Sequence, residues 1–264
     1  MTGAAPTSAA TTPAARTLVV RAAIAPLFAE ARVSSAQVSQ RLAGHALSLL
    51  EDRGEWLRVR GDDGYEGWAH RGYVADGAPV PGEIRQLSLG CSAARPGGLP
   101  RLLPLGAWLD REERVTGGET VEEGRMSSRF PRGEAAICAT AVQRFAGTSY
   151  QWGGITPWGG DCSGLVQTVF WLHGVQLPRD AWQQALEGSD AGVDPLALRA
   201  ADLLFFSDRE DRRVTHVGMA LGDRRMVHLA LGRGGYCIER LDDARDGYVK
   251  ALRERFVGAR RILS

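Results

Sequence analysis

Paired cysteines are what this chain most plainly lacks. Its 264 residues hold four, Cys91, Cys138, Cys162 and Cys237, widely spaced and without a Cys-x-x-Cys pair. That spacing argues against a disulfide framework or a zinc ribbon and fits a reducing compartment. Long apolar runs are missing as well, and nothing approaches the ~20 residues of a membrane span. The best apolar stretch, Leu18 to Ala29, is broken by Arg21 and Pro26 and lacks the layout of a signal peptide. A cytoplasmic location with no membrane partner is therefore expected. Charge of one sign is also scarce: the net charge is +1, which removes any general electrostatic reason to expect nucleic acid as a partner. What remains is 44% hydrophobic and 24% charged, an ordinary soluble composition long enough for more than one core. Oligomeric state is not legible from these numbers.

Residues 1–16 are rich in Ala, Thr, Pro and Ser without apolar periodicity and read as a disordered leader. Residues 17–76 carry short alternating runs, among them Ala46 to Leu50 and Trp56 to Arg60, separated by turns at Asp52-Arg53-Gly54 and Gly61-Asp62-Asp63-Gly64. Short strands at that spacing predict a small all-β barrel. Asp76 to Gly82 reads as a linker. Residues 83–130, with many Gly, Pro and Arg, are expected to form a second, divergent barrel. From residue 133 to 264 a helix over Ala135 to Phe145, a Trp-Gly-Gly loop, a second helix and then strands predict an α+β domain.

That second helix begins at Asp161-Cys162-Ser163-Gly164. Leu165, Val166, Val169, Phe170 and Leu172 recur at helical spacing, and Gly174 and Pro178 supply stop signals. Cys162 therefore falls in a first turn, where free N–H groups and the helix dipole favour a thiolate, the nucleophilic form. Asp161 suits the N-cap, and Gly159 and Gly160 allow close backbone approach.

A nucleophilic thiol needs an imidazole, and the imidazole needs a group that fixes its tautomer. Val214 to Leu221 and Met226 to Leu231 read as an antiparallel hairpin carrying His216 and His228. A three-residue loop, Gly222 to Arg224, pairs Leu221 with Arg225. Both rings then share one face as diagonal neighbours, roughly 7 to 8 Å apart at the backbone; a two-residue loop separates them. His45, His70 and His173 are assigned capping or surface roles, with His173 suited as a cation to the end of the cysteine helix.

The constellation resembles the NlpC family of papain-like cysteine peptidases, which cleave bacterial cell-wall peptides. The residues that carry the resemblance are Tyr150-Gln151-Trp152-Gly153-Gly154, Asp161-Cys162-Ser163-Gly164, Leu177-Pro178-Arg179, Asp202-Leu203-Leu204-Phe205-Phe206, His216-Val217-Gly218 and His228. The first 75 residues are similar to a bacterial SH3-like domain through Ser39-Gln40, Trp56 and Gly64-Tyr65-Glu66-Gly67-Trp68. The resemblance implies a papain-like α+β domain behind an SH3-like one, with Cys162 as nucleophile, His216 as base and His228 as its orienter. It further implies γ-D-glutamyl-diamino acid peptidase activity on murein peptides with a free N-terminal L-Ala, releasing L-Ala-D-Glu. Tyr65, Tyr150, Trp152, Asp161, Ser163 and Asp180 then line the dipeptide pocket, with no metal or cofactor.

Three positions depart from the pattern. Val38 stands where the subgroup carries Glu, Ala181 where Ser or Thr is frequent, and Ala201 where Gly precedes the Asp. Rival readings are an acyltransferase or amidase on the same scaffold, a non-catalytic wall-binding module, and a zinc site built from Cys162, His216 and His228.

Overall fold

The computed structural model describes residues 16–78 and 84–263. The expected leader lies outside the described residues except for Arg16, as does most of the linker beyond Ala78. No helix among the described residues is long and apolar enough to cross a membrane.

Seven short strands make the N-terminal barrel: Thr17–Val20, Ile24–Phe28, Gln37–Leu42, Ala46–Arg53, Trp56–Arg60, Glu66–His70 and Val74–Asp76. Their spatial order is third, second, sixth, fifth, fourth, first, seventh. Period-two alternation sends Leu18, Val20, Leu27, Leu47, Leu57 and Val59 into one core, as expected of half-buried strands. The turn after the fourth strand is closed by Asp52, whose carboxylate accepts from Gly54 N at 2.9 Å, with Gly54 left-handed at φ +73°.

Residues 86–122 form a three-stranded antiparallel sheet, with Gln86–Ala94 flanked by Arg101–Leu103 and Arg114–Glu122. This sheet works as a wedge. Cys91, Ala93 and Leu103 pack with Leu42 and Ala43 of the barrel and Ile155 of the C-terminal domain. Leu87, Leu89 and Trp108 pack among the helices of that domain. Three regions thus share continuous apolar contact, which fixes the barrel's position over the later site.

The C-terminal domain lays two helices, Glu134–Phe145 and Cys162–Leu172, against a six-stranded antiparallel sheet. The sheet order is Ser189–Gly192, Phe256–Arg261, Leu203–Phe206, His216–Gly222, Arg225–Ala230, Gly235–Arg240. The cysteine helix is buried nearly all round, because helix, sheet, wedge and barrel enclose it. Gly164 permits that enclosure, since a Cβ there would lie 2.1 Å from the Gly154 carbonyl oxygen.

The hairpin differs from expectation in an instructive way. Its turn has two residues, Asp223 and Arg224, both left-handed, and Gly222 rather than Leu221 pairs with Arg225. A β-bulge between Ala220 and Gly222 then shifts the register by one, so that Ala220 pairs with Met226 and Met219 with Val227. The bulge restores the register that a three-residue loop was expected to supply, and the histidines still share a face.

His173 is also corrected. It is 2% exposed, with Nδ1 2.7 Å from the Pro131 carbonyl and Nε2 2.9 Å from Thr140 Oγ1. A carbonyl can only accept, so Nδ1 donates and Nε2 receives the Thr140 proton. Burial pushes its pKa down, and the ring is a neutral pin between helices rather than a cation on a dipole.

Candidate active site

The site lies in a cleft of about 850 Å³ between the barrel, the cysteine helix and the hairpin. Tyr65, Tyr150, Trp152, Asp161, Cys162, Ser163, Asp180 and His216 all line it, joined by Val38 from the barrel. His228 stands behind His216, fully buried.

Asp161 caps the cysteine helix as expected, its Oδ1 accepting from Gly164 N at 2.8 Å. Its Oδ2 accepts from Gly153 N at 2.8 Å, which ties the Trp-Gly-Gly loop to the helix start. Arg179 takes both oxygens, NH1 to Oδ1 at 3.1 Å and NH2 to Oδ2 at 2.6 Å, while NH1 also donates to Ser163 Oγ at 2.9 Å. The Arg179 side chain is 1% exposed. Asp161 and Ser163 therefore border the pocket with most of their polar capacity already committed to Arg179.

Arg179 reaches further, to Ser39 Oγ of the barrel at 3.2 Å. Gln40 Oε1 accepts from Ile155 N at 3.2 Å, and Gln37 donates to the Trp152 carbonyl at 2.9 Å. One barrel strand thereby clasps the loop before the nucleophile. At the far side Tyr65 OH donates to Asp180 Oδ1 at 3.4 Å across the domain junction. Burial and the Asp180 charge push the Tyr65 hydroxyl up to about 12, so it stays protonated. Burial also raises the Asp180 carboxyl, against the opposing pull of Arg179.

The sulfur of Cys162 is faced by the N–H groups of Val217 and Ser163. These donors do not decide its ionisation. Burial, followed by the Asp161 charge, pushes the thiol up to about 12, which overturns the expectation of a thiolate favoured by the helix start. Burial and the neighbouring His228 hold His216 down at about 3. These shifts leave the Cys162 thiol and the His216 imidazole, which line the same cleft, both neutral at neutral pH.

His216 Nε2 lies 2.8 Å from His228 Nδ1, with the rings 69° apart. Behind them His228 Nε2 is 3.6 Å from Glu239 Oε1. Glu239 is gripped by Arg233 at 2.7 and 3.1 Å and by the Cys237 thiol at 2.9 Å. His228, Cys237 and Glu239 bring three ligand atoms within 4.8 Å of one another, the spacing of a metal site. The Arg233 guanidinium already supplies a cation to that carboxylate, and the rival zinc trio of Cys162, His216 and His228 is not the set that converges among the described residues.

A sheet-backed helix that places a cysteine in one cleft with a hairpin histidine is the arrangement of a thiol hydrolase. Residues 147–255 match the NlpC/P60 family and residues 25–75 the bacterial SH3 domain, so this chain carries an NlpC/P60 domain of the cysteine-type peptidase class behind an N-terminal bacterial SH3 domain. It is similar to a Bacillus cereus protein named gamma-D-glutamyl-L-lysine dipeptidyl-peptidase, 27% identical over 85% of this chain and 75% of that one. Lysinibacillus sphaericus dipeptidyl-peptidase 6 is 28% identical over 89% of this chain and 95% of its own length. The crystal structure of an NlpC/P60 family protein from Bacillus cereus shares the fold, with a TM-score of 0.75, 20% identity, and coverage of 94% of this chain and 100% of that one. Peptidoglycan-directed hydrolysis is the function these relationships support.

Sequence reasoning quoted Arg179 and Ser39 only as parts of motifs and missed Glu239 and Arg233 altogether. A lone Arg after Leu-Pro carries a signal once Asp161 is recognised as a buried acid in need of a cation. Glu239 sits on an alternating strand and gives none.

Proposed function

We propose that the chain hydrolyses the γ-D-glutamyl–diamino acid bond of murein peptides with a free N-terminal L-Ala, releasing L-Ala-D-Glu. The observation that carries this reading is the Tyr65–Asp180 pair, contributed by two domains and lining the same cleft as Cys162 and His216. A carboxylate with a hydroxyl beside it suits an ammonium group, and a barrel over that end of the cleft suits a short peptide rather than a continuous strand. The names carried by the Bacillus cereus and Lysinibacillus relatives support the same class of substrate. Val38 on the cleft wall is apolar and adds no charge to the amine end.

In this mechanism His216 takes the Cys162 proton as the sulfur attacks the γ-glutamyl carbonyl, because the resting thiol is neutral. The bond to the leaving amine breaks as His216 protonates it, and a thioester remains. Water, deprotonated by His216, then hydrolyses the thioester. First-turn N–H groups and the Tyr150 hydroxyl, which burial keeps protonated, stand as donors for the oxyanion. His228 holds the His216 tautomer.

His216 must hand its proton to the leaving group, so that group lies on the hairpin side of the cleft. Arg213, stacked over Trp182 at 5.3 Å, and Arg255 also line the cleft. Two guanidinium groups favour a leaving residue with an additional carboxylate, diaminopimelate over lysine. The proposed location is the cytoplasm, supported by four free thiols.

The test incubates wild type and Cys162→Ala with L-Ala-γ-D-Glu-diaminopimelate, free and N-acetylated. Release of L-Ala-D-Glu from the free peptide alone, and by wild type alone, is expected. Equal cleavage of both peptides overturns the free-amine reading, and an acyl group found on an added amine instead of water favours an acyltransferase.

A further inference from the structure

We infer that Glu239 is a positioning residue that sets the tautomer of the histidine pair from behind. The inference rests on reading Cys162, His216 and His228 as the reacting trio. For His216 to accept the thiol proton at Nδ1, its Nε2 must carry hydrogen and donate it to His228 Nδ1, 2.8 Å away. That bond leaves the His228 proton on Nε2. His228 is 0% exposed, and this Nε2 has no hydrogen-bond partner among the described residues. A buried, unpartnered N–H is costly, and the tautomer that avoids it is the wrong one. With hydrogen on His228 Nδ1 instead, the bond reverses, His216 carries its proton on Nδ1, and that nitrogen can no longer act as a base toward the thiol.

Glu239 Oε1, 3.6 Å from His228 Nε2, is what opposes that reversal. A carboxylate at this distance in a dry site draws the N–H toward itself electrostatically. Its charge is secured. Burial alone would raise its pKa, but His228, the bidentate Arg233 and the Cys237 thiol outweigh burial and hold it at about 2. Arg233 is itself braced by Asp246 and stacks over Tyr248 at 4.3 Å. Asp246 caps the helix Gly247–Glu254 through Tyr248 N at 2.8 Å, so the brace is anchored to a rigid element. The hairpin, the next strand and the last helix therefore share one task, holding a negative charge behind His228.

Two readouts test this. In Glu239→Gln, nitrogen-detected NMR of the histidine rings is expected to show His228 shifting from the Nε2–H tautomer to a mixture, without substrate present. On the murein tripeptide, kcat is expected to fall about ten- to a hundredfold with KM within about twofold, because the loss is of a correctly held base rather than of binding. Glu239→Asp is expected to recover part of kcat. Unchanged tautomers in Glu239→Gln overturn the inference, as does a rise in KM with kcat intact. A wild type that cleaves no murein peptide overturns the proposed function instead, and leaves the tautomer measurement to decide this one.

Discussion

Arg179 holds the Asp161 carboxylate by both oxygens, at 3.1 and 2.6 Å, one residue before the candidate nucleophile. Both groups are buried, so the pair is asymmetric in its energetics: removing one partner strands a charge, whereas removing both need not. Arg179→Met is expected to cost about 3–5 kcal/mol of stability in denaturant unfolding, and adding Asp161→Asn should recover part of it. A loss below about 1 kcal/mol would show that Asp161 relaxes to solvent and that the clasp does not position the loop.

The resting charge state of the thiol gives a second prediction. With Cys162 pushed up to about 12 and His216 held at about 3, neither group is charged between those limits. Below the thiol pKa sulfur keeps its proton; above the imidazole pKa the ring is neutral. The ultraviolet thiolate band, taken as the difference between wild type and Cys162→Ala, is therefore expected to be absent at neutral pH and to emerge only in strong alkali. A band already present at pH 5 would mean a preformed ion pair.

Amine recognition by Asp180 and Tyr65 separates from the chemistry. Asp180→Asn is expected to lower kcat/KM on free-amine peptide by about ten- to a hundredfold, the worth of a hydrogen bond to a charged group. Tyr65→Phe removes a neutral partner and should cost about three- to tenfold. Neither change should slow the N-acetylated peptide further. Because burial raises the Asp180 carboxyl, free-peptide binding should weaken as pH falls toward that raised value, while Asp180→Asn loses this dependence.

The two arginines that line the cleft, Arg213 and Arg255, predict a preference. Wild type should cleave diaminopimelate tripeptide faster than the lysine form at saturating and at low substrate, and Arg213→Ala with Arg255→Ala should narrow the gap with little effect on the lysine peptide. Equal rates on the two peptides in wild type would remove these side chains from the specificity argument.

How much of this was readable in advance follows the range of the interactions. The cysteine helix, the Leu203–Phe206 strand and the histidine hairpin are written in apolar periodicity, which depends only on near neighbours. The register was readable too, but by a different route, since the bulge at Leu221 compensates for a turn one residue shorter than expected. Arg179, Ser39 and Glu239 act across 18, 140 and 11 residues of sequence, counted to Asp161, Arg179 and His228, and have no local pattern. Thiol ionisation departs from expectation for the same reason: the helix start is local and visible, while the burial that outweighs it is assembled by residues far apart in sequence, from the wedge and the C-terminal domain.

Ala201 turns one departure from the family pattern into a last prediction. It adopts φ +64°, a left-handed conformation that favours glycine, and it is 3% exposed, in the same core cluster as Cys138 and Leu203. A left-handed alanine costs about 1–2 kcal/mol in backbone strain. Replacing it with Gly relieves that strain but forfeits a buried methyl worth about 0.8 kcal/mol and adds about 0.4–1 kcal/mol of unfolded-chain entropy. The contributions nearly cancel, so Ala201→Gly is expected to leave stability within about 1 kcal/mol of wild type. Ala201→Val adds a β-branch in a forbidden region and a methyl pair in a packed core, and should cost more than about 2 kcal/mol. Chemical unfolding of the three proteins decides it: a Val variant as stable as wild type would mean that Ala201 leaves the left-handed region, and that the strand carrying Leu203 to Phe206 is entered by a different turn.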